Sequence, residues 1–273
     1  MPDRVHDPAE FVVTKEHRRF AELCDAVRRE RYIGVCYGPP GVGKTRSARR
    51  YANWDTLEPN LRRCTLTNEV TDDVDITTRT VLYTPKVHNT PRIIDNDIRT
   101  LHDRLGWLIG FEDPEPDFTL ASLASYSHKL VELLIIDEAD RLKTPSLEQL
   151  RDHHDRTGVG LILIGMPGIE RRLARYPQLY SRIGFAHEYR ALSTDELRFV
   201  LEHHWETIGL SLSAEDFTDA EAIAAVARIT NGNFRLVQRL FAQITRILEI
   251  NNVTTISREV VETAREALII GNA

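Results

Sequence analysis

The sequence predicts an α/β fold: a mainly parallel sheet sandwiched by helices, followed by a small all-helical module. Three observations predict it. Apolar strand-like runs alternate with helical patterns as far as residue 191. A glycine-rich loop joins the first such strand to the helix after it. From Leu192 onward only helical periodicity remains. The expected domains are therefore residues 1–191 and residues 192–273.

Residues 8–31 read as an extended entry and then a helix, with Phe20, Leu23, Cys24 and Val27 at helical spacing. Tyr32 to Tyr37 is a buried strand ending in a Gly/Pro loop, and a helix follows from Gly43 to Trp54. Residues 55–78 are polar and hard to read. Their one strand-like piece, Arg63 to Thr67, could form a hairpin with the strand Arg79–Thr84. After Pro91 an amphipathic helix fits Ile94, Ile98, Leu101 and Leu105, ending near Gly106. An acidic loop from Phe111 to Phe118 and a helix over 119–130 come next. The most apolar strand, Leu133 to Ile136, enters Asp137. A helix over Ser146–Arg156, a strand over Gly160–Gly165 and a last strand near Phe185–Tyr189 complete the first domain. The second should hold about four helices, broken at Asn231-Gly232-Asn233.

Composition excludes several classes. The 273 residues carry 35 Lys+Arg against 41 Asp+Glu, a net charge of −6, so bulk positive charge cannot drive nucleic-acid binding. No apolar run reaches the roughly 20 residues of a membrane helix, and the N-terminus lacks a signal-like stretch. Three cysteines without metal spacing point to a reduced, cytoplasmic compartment. The adjacent pairs His153-His154 and His203-His204 point in different directions on helices and chelate poorly.

The chemistry starts at Gly38-Pro39-Pro40-Gly41-Val42-Gly43-Lys44-Thr45, which matches G-x-x-x-x-G-K-[ST] in full. Glycines let successive N–H groups turn toward phosphate oxygens, and the following helix adds its positive end. Lys44 reaches the β- and γ-phosphates, and the Thr45 hydroxyl suits Mg²⁺. Downstream, the Leu133–Ile136 strand delivers Asp137 and Glu138 to its carboxyl end, where sites lie in open α/β sheets. Asp137 can orient Mg²⁺ through water, and Glu138 is placed to polarise an attacking water.

Together these motifs resemble the AAA+ ATPases, P-loop NTPases with a helical lid. Within that resemblance Arg182, in Leu179-Tyr180-Ser181-Arg182-Ile183, corresponds to an arginine finger. Arg235, in Gly232-Asn233-Phe234-Arg235, corresponds to the sensing arginine of the lid. Phe11 to Thr14, with Val13, either lines an adenine pocket or simply packs. The entry Phe11-Val12-Val13-Thr14, the segment Leu82-Tyr83-Thr84-Pro85 and Ile162 to Pro167 are most similar to the TniB/TnsC transposition regulators, with MuB and IstB beside them.

The resemblance implies a slow, assembly-dependent ATPase using ATP and Mg²⁺. It implies a homo-oligomeric ring or filament on duplex DNA, bound without sequence preference, that recruits a transposase and works with a target-selection factor. Lys86, Arg92 and Arg99, with Arg104 beside them, are the candidate DNA stripe, Arg92 and Arg99 lying nearly on one helix face. One departure stands out: Gly165-Met166-Pro167 offers no polar side chain where such proteins place a water-sensing residue. The alternatives are an ATPase of another system acting on a protein partner, such as a helicase loader or secretion-linked motor, and a scaffold that binds ATP and barely hydrolyses it.

Overall fold

The computed structural model describes residues 11–63, 78–112, 130–210 and 216–268. These fall into two compact units. One comprises Glu16–Gly38 and Lys44–Tyr189; the other comprises Met1–Lys15, Pro39–Gly43 and Arg190–Ala273.

The first unit is built on a five-stranded parallel sheet. Its strands are β1 (Ile33–Tyr37), β2 (Thr80–Tyr83), β3 (Leu133–Ile136), β4 (Gly160–Gly165) and β5 (Ile183–Glu188). The order is β2-β3-β4-β1-β5. Every residue of β2, β3 and β4 is buried, as befits parallel strands covered on both faces. β5, at the edge, alternates instead. Among the described residues, seven α-helices accompany the sheet: α1 (Lys15–Glu30), α2 (Lys44–Tyr51), α3 (Trp54–Arg63), α4 (Pro91–Glu112), α5 (Thr144–Thr157), α6 (Ile169–Leu173) and α7 (Pro177–Tyr180). The registers pair Tyr37 with Gly165 and Ile136 with Leu163. β1 and β3 therefore end on either side of β4, at the same end of the sheet.

Three expectations need correction. The helix after the phosphate loop stops at Tyr51; Asn53 takes a left-handed φ of 48° and the chain starts a new helix at Trp54. That helix, α3, occupies the start of the polar stretch that the sequence leaves hard to read. Trp54, Leu57 and Leu61 form its buried stripe, which Pro59 and the polar flanks disguise in the sequence. α4 continues past Gly106 to Glu112 because Leu105, Leu108 and Ile109 extend its buried face. Arg63 closes α3 rather than opening a strand, and the rest of the expected hairpin arm lies outside the described residues. So do residues 119–129 of the helix expected over 119–130, whose last residue, Leu130, is helical, and the loop beyond Glu112. β2 pairs in parallel with β3.

The second unit holds α8 (Thr194–Thr207), α9 (Phe217–Thr230), α10 (Phe234–Asn251) and α11 (Arg258–Glu266). Leu197, Trp205, Val226, Leu240, Phe241, Ile244 and Val261 form its core, and Val12 packs against it. Each helix starts on a side-chain cap: Ser193, Asp216, Asn233 and Ser257. Among the described residues, no helix is long and apolar enough to cross a membrane.

α4 and α5 meet at a histidine pair. His102 and His153 approach edge to face, with ring centroids 5.1 Å apart. Burial, reinforced by Arg156, pushes His153 down to about 4, with Asp95 and Asp152 opposing. The unfolded chain binds this proton near pH 6.5, so between pH 6.5 and 4 unfolding takes up a proton. Stability is full above pH 6.5 and falls as pH drops through that window, by on the order of 2–3 kcal/mol from this group. His153→Phe should flatten the fall. Urea midpoints of both proteins at pH 7 and pH 4.5 check this; equal pH losses would refute it.

Candidate phosphate and water-activating site

The candidate site is built at the carboxyl ends of β1 and β3. Gly38 follows β1, and its amide donates to the Gly165 carbonyl at 3.4 Å. Lys44 opens α2 and its Nζ donates to the Gly38 carbonyl at 2.5 Å. Thr45, one residue on, donates its hydroxyl to Asp137 Oδ2 at 2.7 Å. Asp137 is only 4% exposed. Its amide is tied to the Tyr83 carbonyl at 2.9 Å, and its Oδ1 accepts from the Glu138 amide at 2.9 Å. Both carboxylate oxygens are thus aimed by hydrogen bonds. The Thr45 hydroxyl and Asp137 carboxylate form a pair of hard oxygen ligands beside a lysine, a donor set that fits Mg²⁺ held on phosphate.

Glu138 takes a left-handed conformation, φ 51° and ψ 44°, at the start of a single 3₁₀ turn over Ala139–Arg141. A glutamate there costs roughly 1–2 kcal/mol, so the surrounding turn must hold it. Its carboxylate pairs with Arg141. Arg141 in turn donates to the Pro85 carbonyl at 2.8 Å. To activate a water, Glu138 must exchange this partner.

The end of β4 is less bare than its sequence suggests. Asp140 Oδ2 accepts from the Met166 amide at 2.7 Å. A Cβ on Gly165 would stand 2.8 Å from that oxygen and 2.5 Å from Ile169 Cδ1, so a side chain there would displace the carboxylate from its present seat. The sequence reading missed Asp140; its signal was the acidic residue closing Asp137-Glu138-Ala139-Asp140 together with Gly165.

The crown of the phosphate loop, Pro39–Gly43, belongs to the helical unit. Gly41 and Gly43 take positive φ, 81° and 115°, as the tight loop requires. Val42 is buried, while Pro39 and Pro40 are exposed. Arg235, in the same unit, is exposed, and its amide donates to the Gly41 carbonyl at 2.9 Å. Val13 is 43% exposed, and Thr14 beside it is buried.

Arg182 lies just before β5. Its guanidinium grips Asp155 of α5 through two bonds, 2.5 Å and 2.8 Å, and also reaches the Gln178 carbonyl. That fork holds the Asp155 carboxyl below the ordinary carboxylate range. Of the expected basic stripe, Arg92 and Arg99 are both exposed on α4. Arg99 pairs with Asp95 at 2.8 Å and Lys86 with Asp97 at 3.2 Å, which tempers the positive face. Arg104 is half-buried, with its Nε enclosed. Lys86 and Arg104 line, with Thr45, Arg49, Trp54 and Tyr83, a cleft of about 400 Å³ beside the threonine. Cys24 and Cys36 are fully buried, and burial pushes both thiols up, so neither is a nucleophile.

Comparison with known proteins bears on the family and the fold. The family model described as "AAA domain" matches residues 27–173. A "Potential ATP-binding protein" of Staphylococcus aureus is 46% identical over 272 residues, covering 96% of this chain and 97% of that protein. The "Mu-like prophage FluMu DNA transposition protein B" of Haemophilus influenzae is 24% identical, covering 87% of this chain and 73% of that protein. The "ATP-dependent target DNA activator B" of Escherichia phage Mu is 28% identical over 189 residues; the match covers 65% of this chain and half of the phage protein. Among solved structures, the Thermotoga maritima RuvB Holliday junction branch migration motor superposes with a TM-score of 0.60 at 18% identity, over 95% of this chain and 70% of that one. That likeness shows a shared P-loop NTPase fold.

Proposed function

We infer the function from one premise: the chain belongs to the AAA domain family. On that premise it is an ATPase that assembles with copies of itself on duplex DNA and there engages a transposase. The observation that carries the catalytic half is the Thr45–Asp137 hydrogen bond beside Lys44. The regulatory half rests on similarity to proteins whose names tie them to DNA transposition and target DNA.

In this reading the amides of residues 41–45 bind the phosphates of ATP, and Lys44 adds a point charge. Mg²⁺ would be held by Thr45 and, through water, Asp137, and it supplies charge neutralisation on the phosphate oxygens. Glu138, released from Arg141, orients the water for in-line attack and takes its proton. Asp140 fixes the end of β4 against the acidic turn, so that Glu138 has a rigid base to work from. Arg182 of one copy leaves Asp155 and stabilises the transition state in the next. Each release first breaks an existing ion pair, which suits slow turnover gated by assembly.

DNA contact in this reading runs through phosphates and is salt-sensitive. A weak patch suffices because assembly repeats it along the duplex. The test images the purified chain with ATP, with and without duplex DNA. Rings or filaments that need both support the proposal; assemblies indifferent to DNA would favour a protein-directed ATPase. Paired Arg92→Ala and Arg99→Ala should weaken duplex binding and make its salt slope shallower by about 2. An unchanged slope would take α4 out of the interface.

A further inference from the structure

What fastens the crown of the phosphate loop is the first turn of α10. Asn233 Nδ2 donates to the Pro40 carbonyl at 2.9 Å. The Arg235 amide donates to the Gly41 carbonyl at 2.9 Å. Asn233 Oδ1 simultaneously caps α10, accepting from the Leu236 amide at 3.3 Å. The fit is close: a Cβ on Gly41 would stand 2.5 Å from Asn233 Oδ1 and 3.1 Å from Arg235 Cβ.

The consequence follows from peptide geometry. In a planar trans peptide the C=O and the next N–H point in opposite directions. None of the peptide bonds in the described residues is cis. The Pro40 carbonyl shares its plane with the Gly41 N–H, and the Gly41 carbonyl with the Val42 N–H. Two donors from α10 that hold these carbonyls therefore aim the Gly41 and Val42 amides away from α10. A phosphate cradle needs its amides turned inward and its carbonyls satisfied outward. Of the two donors, only the Asn233 amide is a side chain, and so only it can be removed without altering the backbone.

We propose that Asn233 is a positioning residue for nucleotide phosphate, holding the Pro40–Gly41 peptide so that the Gly41 amide faces the bound anion. This deepens the proposed function and rests on the assignment of residues 38–45 to ATP. It also gives the asparagine two separable jobs. The Oδ1 caps a helix, which Ser or Asp does as well. The NH₂ donates to Pro40, which neither can do: an ionised Asp has no donor, and Ser is too short to span the gap.

The test titrates the full chain with a fluorescent ATP analogue and Mg²⁺, and melts each protein without nucleotide. Wild type is compared with Asn233→Ser, Asn233→Asp and Lys44→Ala. Asn233→Ser should weaken ATP binding about tenfold, the worth of one hydrogen bond to an orienting carbonyl, with its nucleotide-free melting unchanged. Asn233→Asp should weaken it further, because its charge also opposes the phosphates. ATP affinity equal to wild type in Asn233→Ser would overturn the proposal. So would a Ser variant that melts early while the Asp variant restores both melting and affinity, since the cap alone would then explain the residue. If wild type shows no ATP affinity, or Lys44→Ala matches it, the ATP site itself is misassigned; that outcome is distinct from failure of Asn233 alone.

Discussion

Glu138→Gln should lower ATP turnover by about 10²–10⁴-fold while leaving ATP binding intact. Glutamine keeps the size and the left-handed backbone position but cannot take a proton from water. It also loses its charge, so the pairing with Arg141 seen here weakens. Neither change touches Lys44, Thr45 or Asp137, whose mutual bonds hold the phosphate side of the site. The variant should therefore trap the ATP-bound assembly, giving longer-lived rings or filaments than wild type. Phosphate release with parallel imaging checks both halves. Turnover within a few-fold of wild type would remove Glu138 from the water-activating role. Loss of ATP binding would instead mean that it shapes the pocket.

The second large effect concerns Arg182. Alone, Arg182→Ala should reduce turnover by about 10³-fold or more if the arginine acts on transition-state charge. The side chain also holds Asp155, so a simple loss could come from local damage. Arg151, 2.5 Å from Asp155, keeps that carboxylate partnered in the variant. Mixing separates the causes. Arg182→Ala subunits keep the phosphate loop, and Lys44→Ala subunits keep the arginine. Each should be inactive alone, and a one-to-one mixture should recover activity at those junctions where a Lys44→Ala copy lends its Arg182. A mixture as inactive as its parts would refute action across a subunit junction.

Much of this was legible in the chain itself. β1, β3 and β4 announce themselves as apolar runs because a strand buried on both faces has no polar side to show. The phosphate loop is legible because its glycine, lysine and threonine positions are demanded by backbone geometry and chemistry at fixed spacing. α3 was not legible: Pro59 and charged neighbours mask a three-residue stripe whose meaning depends on what it packs against. The end of α4 was misread because Gly106 looks like a stop signal. Leu108 and Ile109 override it, since burial of two large side chains outweighs the roughly 1 kcal/mol that a helical glycine costs.

The sequence by itself determined which groups are available: the loop at 38–45, the carboxylates at 137 and 138, the arginines at 182 and 235. Only the tertiary structure decided what each one holds. Glu138 rests on Arg141, Arg182 on Asp155, Asp140 on the Met166 amide, and Asn233 on the Pro40 carbonyl. The reason is physical. Spacing along one strand or helix fixes which face a residue occupies. A hydrogen bond between residues far apart in the chain depends on how separate elements come to rest, and no local pattern encodes that.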